Sequence, residues 1–383
     1  MKITKTVIAA IIAVICVLIA SIVGAWYYAR PQVTETHYFG LAMVDHSNAW
    51  ESLLADGFFW WCEDHGVKAV MMDARHTIDL QAVQIHSLVD MGIDGLIAFP
   101  ADPKALNSEF DYCKQHNVAV VCTPFIADHP STLMWVAVSF VEQGQLSANQ
   151  TLNFLEKKYG SPKGVVLELR GKTGETAAEQ RHNGFIDVMK NYPDIEVLTK
   201  DTEWMTEKAA DITSKEILAR PDIDAVYCAN LAIVDGFLAG MKTIDKDPTP
   251  YFVVGLDAGP SVLQGVRDNT VDVCVEQVSP AWYAAICCEY LLSYLEKGSA
   301  ALPKVGDVVT VEDLNTTGLL TDQPRYGVDI WAYPTWSPAT IMDTHAEGLA
   351  DNNILHFKMS NVIITKDNVD NPAWWGNMKL PGW

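Results

Sequence analysis

The chain of 383 residues carries 48 acidic and 27 basic side chains, which gives a formal net charge of −21. With 49% hydrophobic and 20% charged residues, the composition excludes a disordered chain and a multi-span membrane protein. The excess of acidic over basic residues excludes a general nucleic-acid binder, because such a protein needs a basic face to displace counterions. It also argues against docking on anionic lipid through surface charge.

The first thirty residues have the pattern of an export segment. Two lysines in the first six residues precede an uncharged apolar run, residues 7–29. A basic start followed by such a run is typical of a signal peptide, and the small residues of Val23-Gly24-Ala25 suit cleavage. The run also reaches the ~20 residues that a membrane-spanning helix needs. Residues 1–30 are therefore predicted to be either a cleaved signal or an uncleaved anchor, with the body on the periplasmic or extracytoplasmic side of the membrane.

From residue 37 onward, short apolar runs alternate with amphipathic stretches. Strands of about six residues separated by helices predict βαβ units and a parallel sheet. Right-handed crossovers then make the sheet doubly wound, with helices on both faces. The predicted strands are residues 38–44, 67–73, 94–99 and 118–123, and the predicted helices are residues 49–65, 80–91 and 104–115.

The same alternation restarts after Ser139 and predicts a second sheet of similar size. Two equal α/β lobes leave a cleft between the carboxyl ends of their strands, where the ligands of such sheets bind. The predicted strands are residues 164–169, 196–199, 225–228, 251–256 and 271–275. The predicted helices are residues 141–158, 176–191, 206–219, 232–242, 261–268 and 281–297.

The C-terminal part has weak periodicity and is rich in Pro, Gly, Asn and Trp, with one clear strand candidate at residues 356–364. Hinge strands are expected near Ser139 and Ser279, with a third crossing near the last strand. The expected division is an N-terminal lobe of residues 37–139 plus 278–300, a C-terminal lobe of residues 140–277 plus about 354–368, an insertion of residues 301–353, and an aromatic-rich tail of residues 369–383.

Motifs for catalysis and metal binding are missing from the sequence. Gly171-Lys172-Thr173 resembles the end of a phosphate-binding loop, but Val166 stands where the first glycine should be. The GxGxxG, GxSxG and HExxH patterns are absent. The seven cysteines beyond residue 30 lack CxxC spacing and lie in apolar segments, which favours buried free thiols over a zinc site. We therefore expect no enzyme activity, no metal and no cofactor.

Polar and aromatic residues cluster where the predicted strands end. Taken singly, each has a structural explanation: Asn230 and Asp257 suit helix N-caps, and Trp50 and Trp204 suit a core. Together they suit a polyhydroxylated ligand, because carboxylate, guanidinium and amide groups pair with hydroxyls and flat rings cover the apolar faces of a sugar. The candidate ligand-binding residues are Asp45, His46, Asn48, Trp50, Phe125, Arg181, Trp204, Asn230, Asp257 and Gln277.

The order and spacing of several strings resemble a known family. From about residue 38 to 297, and again near 356–368, the chain resembles the type I periplasmic binding proteins of ABC importers, in the ribose- and galactose-binding branch. The resemblance implies an α/β fold with two doubly wound parallel-sheet lobes, a multi-strand hinge, and a single sugar bound between the lobes. The strings that carry it are residues 39–57, 92–97, 178–185, 226–231 and 253–257.

Carried over by position, the resemblance implies ligand contacts from Asn48, Trp50, Arg181, Trp204, Asn230, Asp257 and Gln277. One departure bears on the ligand. Pentose binders of the family usually have an Asp-Arg pair after the fourth strand, where this chain has Pro124-Phe125. Asp45 and His46 are candidate substitutes for the lost charged groups. The departure puts ribose in doubt and leaves other sugars, polyols or a less polar ligand open.

Three functional hypotheses follow from the sequence. The leading one is a solute-binding protein that captures a sugar or polyol and delivers it to an ABC-importer permease, without nucleic acid as a partner. The alternative is a ligand-sensing receptor of the same fold that feeds a sensor kinase or a chemotaxis partner, which an uncleaved anchor would favour. A secreted enzyme on an α/β scaffold is the third, and turnover of a bound sugar would identify it.

Overall fold

The computed structural model describes residues 37–276, 278–315 and 324–379. The predicted export segment and Gln277 lie outside the described residues. Within them, no helix combines the length and the hydropathy that a membrane span requires.

The first lobe is built on an eight-stranded sheet, to which the N-terminal part of the chain contributes five strands and the C-terminal part three. Its N-terminal half alternates strand and helix as predicted. The strands are β1 (Tyr38–Met43), β2 (Lys68–Asp73), β3 (Gly95–Ala98), β4 (Ala119–Cys122) and β5 (Thr132–Val138), and the helices are α1 (Ala49–His65), α2 (Ile78–Asp90) and α3 (Asn107–Gln115). These five strands pair in parallel, and β3 and β4 are buried along their whole length, as expected of a sheet covered on both faces.

The second lobe is built on a six-stranded sheet, of which the last strand comes from the C-terminal part of the chain. The strands are β6 (Gly164–Arg170), β7 (Ile195–Asp201), β8 (Ile223–Cys228), β9 (Phe252–Leu256) and β10 (Val273–Glu276). The helices are α4 (Phe140–Tyr159), α5 (Thr176–Met189), α6 (Thr206–Ala219), α7 (Leu231–Thr243) and α8 (Pro260–Asp268). The next helix, α9 (Pro280–Lys297), packs on α1, β3 and β4 of the first lobe. Two doubly wound lobes are thus confirmed.

The C-terminal part adds four strands, which join both sheets. They are β11 (Val308–Val309), β12 (Ala339–Asp343), β13 (Leu355–Met359) and β14 (Val362–Ile364), with helix α10 (Val311–Asn315) between the first two. The first sheet thus has the order β11-β12-β13-β5-β4-β3-β1-β2, and the second has the order β14-β10-β9-β8-β6-β7. β13 pairs in parallel with β5 in the first sheet, whereas β14 pairs antiparallel with β10 in the second. The single strand predicted at residues 356–364 is therefore wrong, because the chain passes from one sheet to the other at Ser360 and Asn361.

Two further sequence predictions are corrected by this sheet membership. The segment 355–359 belongs to the first sheet and not to the C-terminal lobe, because its backbone pairs with β5. The expected insertion, residues 301–353, contributes β11 and β12 to the edge of the same sheet. Strand β5 was not predicted from the sequence at all.

Among the described elements, three chain crossings connect the lobes, as predicted for the hinge. The first runs from β5 through Ser139 into α4, the second from β10 to α9, and the third from β13 to β14. The Asn361 side-chain amide donates to the carbonyl oxygen of Ser139 at 3.2 Å and to Oε2 of Glu142 at 2.8 Å. The first and third crossings are thereby tied together at the point where the lobes would rotate.

Seven cysteines lie in the described part of the chain, and each is buried with a free thiol. Burial raises the pKa of Cys113 and of Cys122 to about 12, so neither is a thiolate near neutral pH. The sequence-based preference for buried free thiols is confirmed for these seven residues.

Helices α4 and α5 touch backbone to backbone at Gly144. A Cβ atom added at this glycine would stand 2.1 Å from the carbonyl oxygen of Arg181 and 2.7 Å from the backbone nitrogen of Phe185. No side-chain rotation relieves a collision with backbone, so the two helices would have to separate.

We predict that Gly144→Ala lowers the free energy of unfolding by at least about 2 kcal/mol, although alanine is the better helix former. Chemical denaturation of the purified protein measures this. Gln145→Ala, at an exposed position of the same helix, is the control and should change stability by less than about 0.5 kcal/mol. Equal stability of the two variants would show that the helices do not pack as described.

Candidate functional site

A cleft of about 560 Å³ lies between the two sheets, at the carboxyl ends of their strands. It is lined by loops that follow β1, β2, β3 and β4 in the first lobe and β6, β7, β8 and β9 in the second. This is the edge at which open parallel sheets bind ligands. Eight of the ten predicted site residues line the cleft: Asp45, Asn48, Trp50, Phe125, Arg181, Trp204, Asn230 and Asp257.

The other two predicted residues, His46 and Gln277, have different outcomes. His46 is not among its lining residues, and its ring lies near enough to Asp56 to lower the pKa of that carboxyl, although burial of Asp56 outweighs this effect. The expectation that His46 substitutes for a lost ligand contact is therefore not supported by its position. Gln277 lies outside the described residues and remains a prediction.

Aromatic rings form one wall of the cleft. The Phe125 ring meets Phe99 edge-on at a centroid distance of 4.9 Å and Phe140 at 6.3 Å. Phe99 in turn meets Trp50 edge-on at 6.4 Å. Phe125 thus contributes to an apolar surface that continues from the first lobe to the first crossing. Such rings offer area and orientation to the C–H face of a ligand.

Arg181 is the buried cation of the cleft, with 4% of its surface exposed. Its Nε donates to Oε1 of Gln143 at 2.8 Å, and its Nη1 donates to the carbonyl oxygen of Ala229 at 2.8 Å. Its Nη2 lies 3.8 Å from Oδ1 of Asp257. Two fixed hydrogen bonds therefore orient the guanidinium before any ligand arrives, which lowers the entropy cost of binding.

Trp204 covers the second-lobe side of the cleft. Its indole Nε1 donates to Oε2 of Glu175 at 2.6 Å, and its ring lies 6.0 Å from the Arg181 guanidinium carbon. The ring packs directly on Gly171, where a Cβ atom would stand 2.1 Å from it. The backbone of Trp204 is left-handed, with φ +62°, a conformation that costs energy in a bulky residue and is concentrated at functional sites.

Asn48 and Asn230 cap helices and line the cleft at the same time. The Oδ1 of Asn48 accepts from the backbone N–H of Glu51 at 3.1 Å, and that of Asn230 accepts from Ile233 at 2.9 Å. Capping uses the oxygen of each amide, so the amide nitrogen is the group suited to donate into the cleft.

Asp257 is held at the end of β9 in a left-handed conformation, with φ +64°. Its Oδ2 accepts from the backbone N–H of Leu231 at 3.3 Å. It is not the N-cap of the next helix, because Gly259 occupies that position. The carboxylate is thus fixed beside Arg181, and the two form a donor and acceptor pair of opposite charge in one wall of the cleft.

The C-terminal tail supports the Asp257 loop from behind. Trp375 Nε1 donates to Oε1 of Glu276 at 3.1 Å, and the backbone N–H of Gly376 donates to the carbonyl oxygen of Ala258 at 2.9 Å. Complete burial, together with the negative charge of Asp257, raises the pKa of Glu276 well above its usual range. The aromatic tail therefore fixes the hinge strand and the loop that carries Asp257.

Asp45 and Glu51 place two carboxyl groups on the first-lobe side, and 6% and 8% of their surfaces are exposed. Burial and the nearby Asp45 charge raise the pKa of Glu51 to about 8. For Asp45, burial would raise the pKa, but hydrogen bonds from Ser47 and the His76 ring outweigh it and lower the pKa overall. At neutral pH one group is therefore a carboxylate and the other a carboxylic acid.

Several lining residues were missed by the sequence analysis. His76 and Phe99 follow the strands β2 and β3, so the strand-end rule used for the other residues would have found them. Glu51, inside the first turn of α1, and Gln143, which orients Arg181, carry no sequence signal of their own. Among the described residues, no group of three or more His, Cys, Asp or Glu side chains is arranged to hold a metal ion.

Comparison with known proteins identifies the family. Residues 39–299, more than half of the chain, match the family model described as the periplasmic binding protein domain. The chain belongs to this family, in which it resembles sugar-binding solute-binding proteins of ABC transporters.

Two curated relatives show the level of sequence similarity. A ribose import binding protein of Bacillus subtilis is 25% identical over 240 residues, which covers 62% of this chain and 75% of that protein. A xylitol-binding protein of Mycolicibacterium smegmatis is 25% identical over 238 residues, which covers 62% of this chain and 66% of that protein.

Solved structures of similar fold include a galactofuranose-binding protein, with a TM-score of 0.68, 16% identity and coverage of 88% of this chain and 97% of that one. A periplasmic solute-binding protein from Actinobacillus succinogenes with bound D-allose has a TM-score of 0.67 and 18% identity, over 88% and 100% of the two chains. At these identities the likeness shows the fold alone.

The raised pKa of Glu51 generates a prediction for stability. The folded protein retains the proton on the Glu51 carboxyl to a higher pH than the unfolded chain does. The contribution of Glu51 to folding stability is therefore fully present below about pH 4.5 and is lost as the pH rises through about 8. Glutamine is neutral throughout. Glu51→Gln should therefore become more stable relative to the natural protein as the pH rises from 5 to 9, by about 2–5 °C in Tm.

Differential scanning calorimetry across this pH range measures the difference. Glu156→Gln, at an exposed position of α4, is the matched control and should show an offset in Tm that does not depend on pH. An equally flat offset for Glu51→Gln would show that the Glu51 carboxyl titrates normally in the folded protein.

Proposed function

We propose that the chain is an extracytoplasmic solute-binding protein that captures a sugar or polyol in the cleft and delivers it to the permease of an ABC importer. The observation that carries the proposal is the oriented Arg181–Asp257 pair facing a wall of aromatic rings. Adjacent hydroxyls of a sugar accept from the guanidinium and donate to the carboxylate, while its C–H face lies on the rings.

The family membership and the names of the relatives support the same class of ligand. The similar proteins are named for ribose, xylitol and allose, which are all small polyhydroxylated molecules. The protein would act by binding alone. It would work on the periplasmic or extracytoplasmic side of the membrane, with residues 7–29 as its signal or its anchor.

Ligand capture would proceed by closure of the lobes about the three crossings. Asp45, Asn48 and Trp50 belong to one lobe, whereas Arg181 and Asp257 belong to the other. A ligand that contacts both sets stabilises the closed form more than the open one, and the equilibrium shifts by that difference in affinity. The closed form would present a joint surface of both lobes to the permease.

A ligand screen tests the proposed binding. The Tm of the full chain would be measured against pentoses, hexoses, polyols and inositols, because a ligand that binds only the folded state raises Tm by mass action. We expect at least one clear shift, confirmed by calorimetric titration without turnover of the bound sugar. No binding by any member would contradict the proposal, and turnover would show an enzyme.

Delivery is tested separately in proteoliposomes that contain the ABC permease encoded beside this chain. The loaded protein should stimulate ATP hydrolysis and uptake of the identified sugar. Intact sugar binding without stimulation would contradict the transport role and favour the sensory receptor of the same fold.

Asp257→Asn should lower the affinity for the identified sugar at least tenfold and leave the fold intact. Asparagine keeps the volume, tolerates the left-handed backbone and can still accept from Leu231, but it removes the charged acceptor. Titration calorimetry measures the affinity, and circular dichroism checks the fold. An unchanged affinity would remove Asp257 from the site.

A further inference from the structure

Charged side chains around the cleft are mostly matched by a partner of opposite sign. The matched pairs are Arg181 with Asp257 at 3.8 Å, Lys172 with Glu175 at 3.3 Å, and Lys208 with Glu203 at 2.8 Å. The acid pair, Asp45 and Glu51, is the exception. Among the described residues, Asp45 has an ion pair only with the half-exposed His76, at 3.4 Å, and Glu51 has none. The first-lobe wall therefore has an excess of negative charge.

The two carboxyl groups of the acid pair share a side-chain hydrogen bond, which the protonated Glu51 donates to Asp45. Nε1 of Trp50 is a buried polar atom without a hydrogen-bond partner within the described residues. The Trp50 and Glu51 side chains are more than nine-tenths buried, and both residues line the cleft. A buried polar atom without a partner costs free energy, so the Trp50 N–H is a donor that an acceptor on a ligand completes.

The contacts that Asp45 already makes leave room for a ligand. Its Oδ2 accepts from the backbone N–H of Ser47 at 3.1 Å and from the Ser47 hydroxyl, and the same oxygen faces His76. None of these three contacts involves Oδ1. Apart from the proton that it accepts from Glu51, Asp45 therefore makes its side-chain contacts through Oδ2.

We infer that Asp45 and Glu51 select a ligand that carries a protonated amino group beside its hydroxyls, that is, an amino sugar or an amino polyol. The inference rests on the proposed binding function and names the ligand class of the same cleft. An ammonium group brings three donors and one positive charge, which two carboxyl groups can satisfy together. A neutral hydroxyl brings one donor and leaves the Asp45 charge uncompensated.

The surroundings of the acid pair favour a cation over a neutral group. Trp50 and Phe99 present aromatic rings in the same wall, and ring faces attract cations when water is excluded. An ammonium between the two carboxyls would take the place of the proton that burial keeps on Glu51. The unpaired Trp50 Nε1 would serve a hydroxyl oxygen of the same ligand, so the ligand needs both kinds of group.

The test uses pairs of ligands that differ only in one hydroxyl exchanged for an amino group. Calorimetric titration of the full chain at pH 7 would compare D-glucosamine with D-glucose, D-galactosamine with D-galactose, D-mannosamine with D-mannose, and an amino-inositol with its parent inositol. We expect at least one amino ligand to bind ten or more times tighter than its parent. The preference should fall below about threefold in Glu51→Gln and in Asp45→Asn, and it should persist in the exposed control Glu156→Gln.

Each outcome separates this inference from the proposed function. If neutral sugars bind at least as tightly as their amino counterparts in every pair, the inference is wrong and the binding function stands. If the amino preference survives in both variants, its assignment to the acid pair is wrong. If neither these ligands nor the wider sugar and polyol panel binds, the proposed function itself is contradicted.

Discussion

The placement of one buried guanidinium organises the cleft. Arg181 can be buried because Gln143, the Ala229 carbonyl and Asp257 supply acceptors, and because the Phe140 ring lies 5.0 Å below it. A buried charge without such partners would be expensive. Each partner comes from a different element, so the guanidinium is correctly placed only when α4, α5 and the ends of β8 and β9 are packed together.

The same requirement explains the close packing around this residue. Gly144 allows α4 to approach the backbone of Arg181 itself, and Gly171 allows the Trp204 ring to lie over the cleft. The tail residues Trp375 and Gly376 hold the loop of Asp257 from the opposite side. A binding site made of such rigid supports needs little rearrangement within one lobe, which leaves the relative rotation of the lobes as the movement that a ligand would control.

The two sides of the cleft differ in character. On the second-lobe side, charge is paired and oriented by Arg181 and Asp257. On the first-lobe side, Phe125 and Phe99 make an apolar wall that ends at Asp45 and Glu51, where acidic groups are in excess. Sugar binders of this family can share a fold and still differ in ligand through such local replacements, because specificity is a difference between the contacts offered to one ligand and to another.

Much of the fold and of the site followed from sequence. Alternating apolar and amphipathic segments determined the two parallel sheets, and the strand-end rule brought Asp45, Asn230 and Asp257 to one cleft, because parallel strands share a carboxyl edge. Only the tertiary structure decided the pairing of 355–359 with the first sheet and the recruitment of Glu51. No local pattern in the sequence shows which distant strands pair or which side chain of a helical turn faces the cleft. These outcomes depend on which backbone edges and faces remain to be covered when the lobes pack.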